Sequence, residues 1–292
     1  MSFTIVTDTS ANLPTPILKQ HGVGVIPFHF TVNSQELACL DTERFDGHAY
    51  YDGMRGGAAV STSQINPQAY IDQFEPMLAA GQDILFVGMS SGISGSFQSA
   101  QMAMAQLRES WPDRQLRLVD TLGASLGEGL LVLRAIEGRE AGRSLDEVTR
   151  ELLALRRRMY QVFMVDDLMF LKKTGRVSGA VALVGTMLQI KPILKGNEKG
   201  QIVTCAKARG RHKAIEALAK RYDDYVVDAG EQTVGIAHAD CPEDAAHLAQ
   251  LLRKNHPPKE IMIVMYEPAT GSHVGPGTLA LFFLGGNDVR EK

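Results

Sequence analysis

Asp83-Ile84-Leu85-Phe86-Val87-Gly88-Met89-Ser90-Ser91-Gly92-Ile93-Ser94-Gly95-Ser96-Phe97-Gln98-Ser99-Ala100 decides the fold. Asp83 to Met89 is an almost unbroken apolar run of strand length, the pattern of a strand buried on both faces. Seven residues of hydroxyl and glycine turn chemistry follow. From Ser94 onward Phe97, Ala100, Met104 and Leu107 fall on one face of a helix. A buried strand, a polar turn and an amphipathic helix make a β–α unit, so the rest of the chain is read for more of them.

They recur on both sides. Phe3–Thr7 is a short apolar strand ending in the turn residues Asp8-Thr9-Ser10, and Pro14 opens a helix reaching Gln20. Val23–Val32 reads as a strand, with Pro27 pointing to a sheet edge. Pro67–Leu78 is helical, Leu116–Val119 a strand and Leu122–Ile136 a largely buried helix. Ser144 with Glu147 three residues on is a capping box, opening a helix striped by Leu145, Val148, Leu152, Leu155 and Met159. Arg156-Arg157-Arg158 falls on its exposed side. Strands alternating with helices predict a mainly parallel sheet with helices on both faces, in a first domain over residues 1–160.

After residue 160 the pattern changes. Val162–Val165 is a strand and Leu168–Lys173 a short helix. Pro192–Leu194 and Gln201–Cys205 flank a polar turn, as in a β-hairpin. Arg211–Tyr225 and Glu243–Leu252 are helices, and Thr233–Ala237 and Ile261–Met265 are strands. Thr278–Leu284 fits strand or helix equally. A second, mixed α/β domain over 161–292 follows.

A chain of 292 residues can bury a full core without staples. A net charge of −3 argues against general nucleic-acid binding. Cys39, Cys205 and Cys241 are odd in number and widely spaced, so they read as thiols of a reducing compartment. The histidines show no metal-ligand spacing, and no metal or cofactor is expected. The N-terminus lacks the basic and apolar regions of a signal peptide, and no apolar run is long enough to span a bilayer. The expected location is cytoplasmic; contact with a membrane surface is left open.

The polar turns carry the chemistry. Gly88-Met89-Ser90-Ser91-Gly92 spells G-x-S-x-G between strand and helix, with His273 downstream, the order of a serine hydrolase. No oxyanion segment precedes it, and a turn with helix-capping hydroxyls accounts for it more simply. Ser94-Gly95-Ser96 opens a helix, where N–H groups and the helix dipole favour an anion; Ser94 is equally an N-cap. Thr62, in the polar loop Ser61-Thr62-Ser63-Gln64, would complete a small anion cradle if it faced Ser94. His273 lies in a glycine-rich loop that permits close backbone approach. Lys172, Lys173, Arg176, Lys207 and Arg209 are a solvated basic surface or a docking face for an acidic partner.

In this order the motifs resemble the DegV family, the fatty-acid-binding proteins that include the FakB subunits of bacterial fatty-acid kinase. The resemblance runs from Ile5-Val6-Thr7-Asp8-Thr9-Ser10 through Thr62-Ser63-Gln64, Ser90–Ala100 and Leu171–Arg176 to His273-Val274-Gly275-Pro276-Gly277. It implies two α/β domains enclosing a long acyl chain, with the carboxylate held by Thr62, Ser94, Gly95 and His273 and supported by Ser63 and Ser96. It also implies a separate kinase docking near Arg176 and Arg209, and no chemistry by this chain. Ser96 and Phe97 stand where the family usually has Thr and Tyr, and Val274 replaces a Thr. No Gly-x-x-x-x-Gly-Lys-Ser/Thr loop for ATP is present. The expected function is a fatty-acid carrier that presents the carboxylate for acyl-phosphate formation. The alternatives are a serine esterase or thioesterase using Ser90 and His273, or a lipid-responsive regulatory protein without a kinase.

Overall fold

The structure is a computed structural model that describes residues 3–178 and 190–292. The chain runs β1 (Phe3–Asp8), α1 (Thr15–Gln20), β2 (Gly24–Ile26), β3 (His29–Val32), β4 (Gln35–Ala38), α2 (Gly47–Arg55), β5 (Val60–Ser63), α3 (Pro67–Ala79), β6 (Asp83–Gly88), α4 (Ser96–Ser110), β7 (Leu116–Asp120), α5 (Leu126–Glu140) and α6 (Leu145–Arg158). It continues with β8 (Met159–Met164), α7 (Met169–Lys173), β9 (Val177–Ser178), β10 (Ile190–Gly196), β11 (Ile202–Arg209), α8 (Arg211–Tyr225), β12 (Thr233–His238), α9 (Pro242–Asn255), β13 (Glu260–Met265), α10 (Pro268–Val274) and β14 (Leu279–Leu284).

Three sheets result. The first is all parallel, in the order β2-β1-β6-β7. β6 shows why. Ile84 and Phe86 point into one apolar cluster with Tyr70, Phe74 and Met104 of α3 and α4. Leu85 and Val87 point into another with Leu131, Val132 and Leu152 of α5 and α6. Both faces are covered, so the strand is apolar throughout.

The second sheet is mixed and seven-stranded, β13-β12-β14-β8-β10-β11-β9. β14 sits between β12 and β8, antiparallel to both, which settles the ambiguous Thr278–Leu284 run as a strand. One face packs on α8 and α9 through Val162, Leu281, Ile215 and Leu248. The other turns Phe163 and Phe282 toward α5. α5 is therefore shared between the two sheets, and its residues 126–132 are all buried, Glu128 among them.

The third sheet is small and antiparallel, β4-β3-β5. It corrects the single strand expected over Val23–Val32. Pro27 offers no N–H to a ladder, and the run divides there: β2 joins the parallel sheet and β3 the small one. Arg156 and Arg158 also depart from the exposed side expected for them. Arg156 donates to the Asp120 carbonyl and Arg158 to the Gly285 carbonyl, and both are half-buried; Arg157 alone is exposed.

Candidate functional site

Between the sheets lies a cavity with about 940 Å³ of space within its walls, part of it open to solvent. Its mouth is polar, with Thr62, Ser63, Gln64, Ser94 and His273; its depth is apolar, with Phe28, Met89, Phe163, Leu171, Ile202 and Phe282.

Each polar side chain is placed by its element. Thr62 lies on a strand, not in the loop expected: it pairs with Phe30 across β3–β5, and strand alternation turns it inward while Ser61 and Ser63 are exposed. His273 lies on α10, where the sequence suggested a glycine-rich loop. Glu267 caps that helix, accepting the N–H groups of Ala269 (2.7 Å) and Thr270 (2.5 Å). Tyr50 and Tyr51 of α2 fasten it by donating to the carbonyls of Pro268 and Tyr266, each at 2.9 Å. Glu267-Pro268 is the signal that could have found it, a capping side chain followed by proline in the first turn.

Thr62 Oγ1 and His273 Nε2 are 2.8 Å apart. Burial, with the nearby Arg176 guanidinium, pushes the His273 ring down to about 4, so it is neutral at pH 7 and carries one proton. His273 Nδ1 is buried without a partner. A buried N–H without an acceptor is rarer than a bare nitrogen without a donor, which assigns the proton to Nε2; there it donates to Thr62 Oγ1 and leaves the Thr62 hydroxyl proton free for an anion. Across the mouth, Ser94 Oγ accepts the N–H of Ser96 (3.2 Å) and donates to Ser96 Oγ (3.0 Å). Gly95 caps α4 without a side chain; a Cβ there would run into the Gln64 amide. Two hydroxyls and a helix start thus converge on the mouth.

Thr62, Ser63, Ser94, Gly95, His273 and Arg176 all line this cavity. Ser96 does not: it is buried behind the wall, accepting the Ile65 N–H at 3.0 Å. Phe97 faces the core, stacked on Phe86 with ring centroids 6.5 Å apart. Val274 is buried in the cavity wall. Arg209 is exposed and stands at the end of β11 opposite the turn that borders the mouth. Its extended strand carries it away from the mouth.

Ser90 is fully buried. Its hydroxyl donates to the Gly200 carbonyl (2.9 Å) and accepts the Gly92 N–H (3.0 Å). The imidazole of His273 is engaged with Thr62 instead. Ser90 therefore closes the turn between β10 and β11 onto the loop after β6. Among the described residues no group of three or more His, Cys, Asp or Glu is arranged to hold a metal ion, and no helix is long and apolar enough to cross a membrane.

The scaffold is thus an α/β fold of three sheets that enclose a cavity with a hydroxyl-lined mouth and an apolar interior. Its sequence matches the family model described as "Uncharacterised protein, DegV family" over residues 2–285, and the chain belongs to the DegV family. A DegV domain-containing protein of Clostridium perfringens is 37% identical over 290 residues, 99% of each chain. Among solved structures, a DegV family protein from Thermus thermophilus, described by its fatty-acid binding, superposes with a TM-score of 0.88 at 32% identity, over 98% of this chain and 100% of that one. DegV of Bacillus subtilis, described as a fatty acid binding protein, gives 0.83 at 27% identity, over 98% and 100%.

Proposed function

We propose that this chain is a cytoplasmic long-chain fatty-acid-binding protein that buries the acyl tail and presents the carboxylate to a separate ATP-dependent kinase, which makes the acyl phosphate. The supporting observation is one cavity with a hydroxyl-lined mouth and an apolar depth, in a fold whose relatives are described as binding fatty acids. A buried carboxylate is costly unless hydrogen-bonded. The free Thr62 proton and the N–H groups at the start of α4 supply those bonds, and the Ser94 hydroxyl adds one by rotating from Ser96 Oγ to the ligand. The tail drives binding: roughly 15 methylenes at about 0.8 kcal/mol each give about 12 kcal/mol gross, reduced by ordering costs. The chain performs no bond cleavage in this reading. Ser90 is spent on a carbonyl, which supports a carrier over an esterase.

Native mass spectrometry of the purified protein, followed by lipid extraction, tests binding. One long-chain fatty acid per chain is expected, and stripping it lowers Tm. A protein that takes up no fatty acid after delipidation and reloading overturns the reading. Labelling of Ser90 by a fluorophosphonate, with ester turnover lost in Ser90→Ala, restores the hydrolase.

A further inference from the structure

Asp8, Glu128 and Glu267 are buried acids that take no part in the mouth. Among the described residues no Lys, Arg or His forms an ion pair with any of them. Their hydrogen bonds can be counted. Ser10 Oγ lies 2.5 Å from Asp8 Oδ1 and 2.5 Å from Glu128 Oε2. Each contact needs a proton between its two oxygens. The serine hydroxyl supplies one, so the other sits on a carboxyl. Asp8 also accepts the N–H groups of Ser10 (2.9 Å) and Met89 (3.2 Å), which favour its anion. Glu128 accepts only the Thr7 hydroxyl, at Oε1 (2.9 Å). The proton belongs to Glu128 Oε2. It donates to Ser10 Oγ, which donates to Asp8 Oδ1.

We infer that the Glu128–Ser10–Asp8 chain is a proton-operated lock on the ligand cradle, closed while Glu128 is a neutral carboxylic acid and released when it ionises. The lock itself reaches two walls of the cavity, and Asn12, which ends the turn that holds Ser10, ties in a third. Asp8 Oδ2 holds the Met89 N–H, at the start of the loop that carries Ser94. Glu128 sits in the first turn of α5, whose preceding residue Ser125 is a wall residue. Asn12 donates to Ser125 Oγ (3.1 Å) and accepts the Glu267 N–H (2.8 Å), where α10 begins toward His273.

The groups around the lock add no cation. Tyr70 of α3 faces Asp8 and Glu128 with a buried, unpartnered hydroxyl. Tyr50, Tyr51, Tyr266 and Cys39 face Glu267. Burial raises Glu128 well above the usual carboxylate range, and the charge on Asp8 raises it further. Burial pushes Asp8 up to about 6 and Glu267 up to about 7. A small cavity of about 20 Å³, bounded by Asp8, Asn12, Cys39, Thr42 and Glu267 and by the exposed Leu40, has room for one water beside Asp8.

Ionised Glu128 would face Asp8 with one hydroxyl proton for two anions, and admitting water relieves that. Glu128 keeps its proton to higher pH folded than unfolded. Its contribution to stability is therefore complete below the unfolded carboxyl range and is lost as pH rises through the folded value.

Glu128→Gln copies the protonated acid: its amide donates to Ser10 and accepts from Thr7. Infrared difference spectroscopy of wild type should show a protonated carboxyl band that persists above pH 8, past the titration of Asp8 and Glu267, and that the variant lacks. Between pH 7 and pH 10 wild-type Tm should fall, and transfer of a labelled long-chain fatty acid to phosphatidylcholine vesicles should accelerate about tenfold. The variant should show no acceleration of transfer, and its Tm should fall less, by the share of Glu267 alone. The transfer arm rests on the fatty-acid reading; the infrared and Tm arms do not. No lipid on either protein, with band and Tm behaving as expected, counts against that reading alone and supports the lock. A missing band, or identical Tm profiles, overturns the lock. If the variant does not fold, Asp8→Asn must move the band's loss to lower pH; an unmoved midpoint also overturns it.

Discussion

Thr62 and His273 lie 211 positions apart and meet at 2.8 Å. The pairing decides what each can do. A neutral imidazole that donates through Nε2 leaves the threonine its own proton to give, so the pair presents one free donor to the cavity. Thr62→Val should weaken fatty-acid binding by about 1.5–3 kcal/mol, as should Ser94→Ala, because each removes a hydrogen bond to a charged group. Calorimetric titration with the fold checked by circular dichroism reads this, and unchanged affinity in both variants would move the cradle elsewhere. His273 also leaves a signature without ligand. Its folded pKa lies below the usual histidine value, so the stability it contributes is present above that value and is lost as pH falls toward about 4. His273→Gln should gain on wild type by up to about 3 kcal/mol between pH 7 and pH 4. Thermal melts of both proteins across that range check it; parallel curves would mean that the ring is solvated.

The elements show how much the sequence discloses. β6, α3, α6 and α8 were legible because apolar period and caps agree: Ser144 and Glu147 form the capping box expected of them. β5 and α10 were missed, and they carry Thr62 and His273. Val60-Ser61-Thr62-Ser63 has one apolar residue and becomes a strand only by pairing with β3. α10 is seven residues with glycine and serine inside, held by Glu267 and two tyrosines from α2. Tertiary partners outweigh propensity in both. α5 gives the sharpest element-scale test. Gly129 lies inside it, and alanine there should favour the helix by about 1 kcal/mol. A Cβ at that point meets the Ala11 backbone carbonyl, which no rotamer change can move. The clash should win: Gly129→Ala should destabilise by about 1–3 kcal/mol. Denaturant unfolding measures the sign, and a stabilised variant would mean that α5 sits farther from the turn after β1.

Across the whole molecule, charge is distributed unevenly. The chain carries a net −3, yet Lys172, Lys173, Arg176, Lys207 and Arg209 are all exposed around α7, β9 and β11. Val177 pairs with Ile202 in parallel, so Arg176 and Arg209 stand at opposite ends of β11, roughly 25 Å apart at the rise of a strand. They cannot both touch a carboxylate at the mouth. A kinase that met both would cover a face of ordinary interface size. The two arginines should therefore separate in function. Arg209→Glu should leave fatty-acid loading unchanged and slow phosphorylation by a cognate kinase, chiefly through association rate and most at low salt. Arg176→Glu should slow phosphorylation too, and should also weaken loading, because Arg176 lines the cavity and a carboxylate in its place repels the ligand's. Loading measured by native mass spectrometry, beside phosphorylation rates at two ionic strengths, distinguishes them. Equal effects of both substitutions on loading, or wild-type phosphorylation of the loaded Arg209→Glu protein at low and high salt alike, would remove this face from the kinase's path.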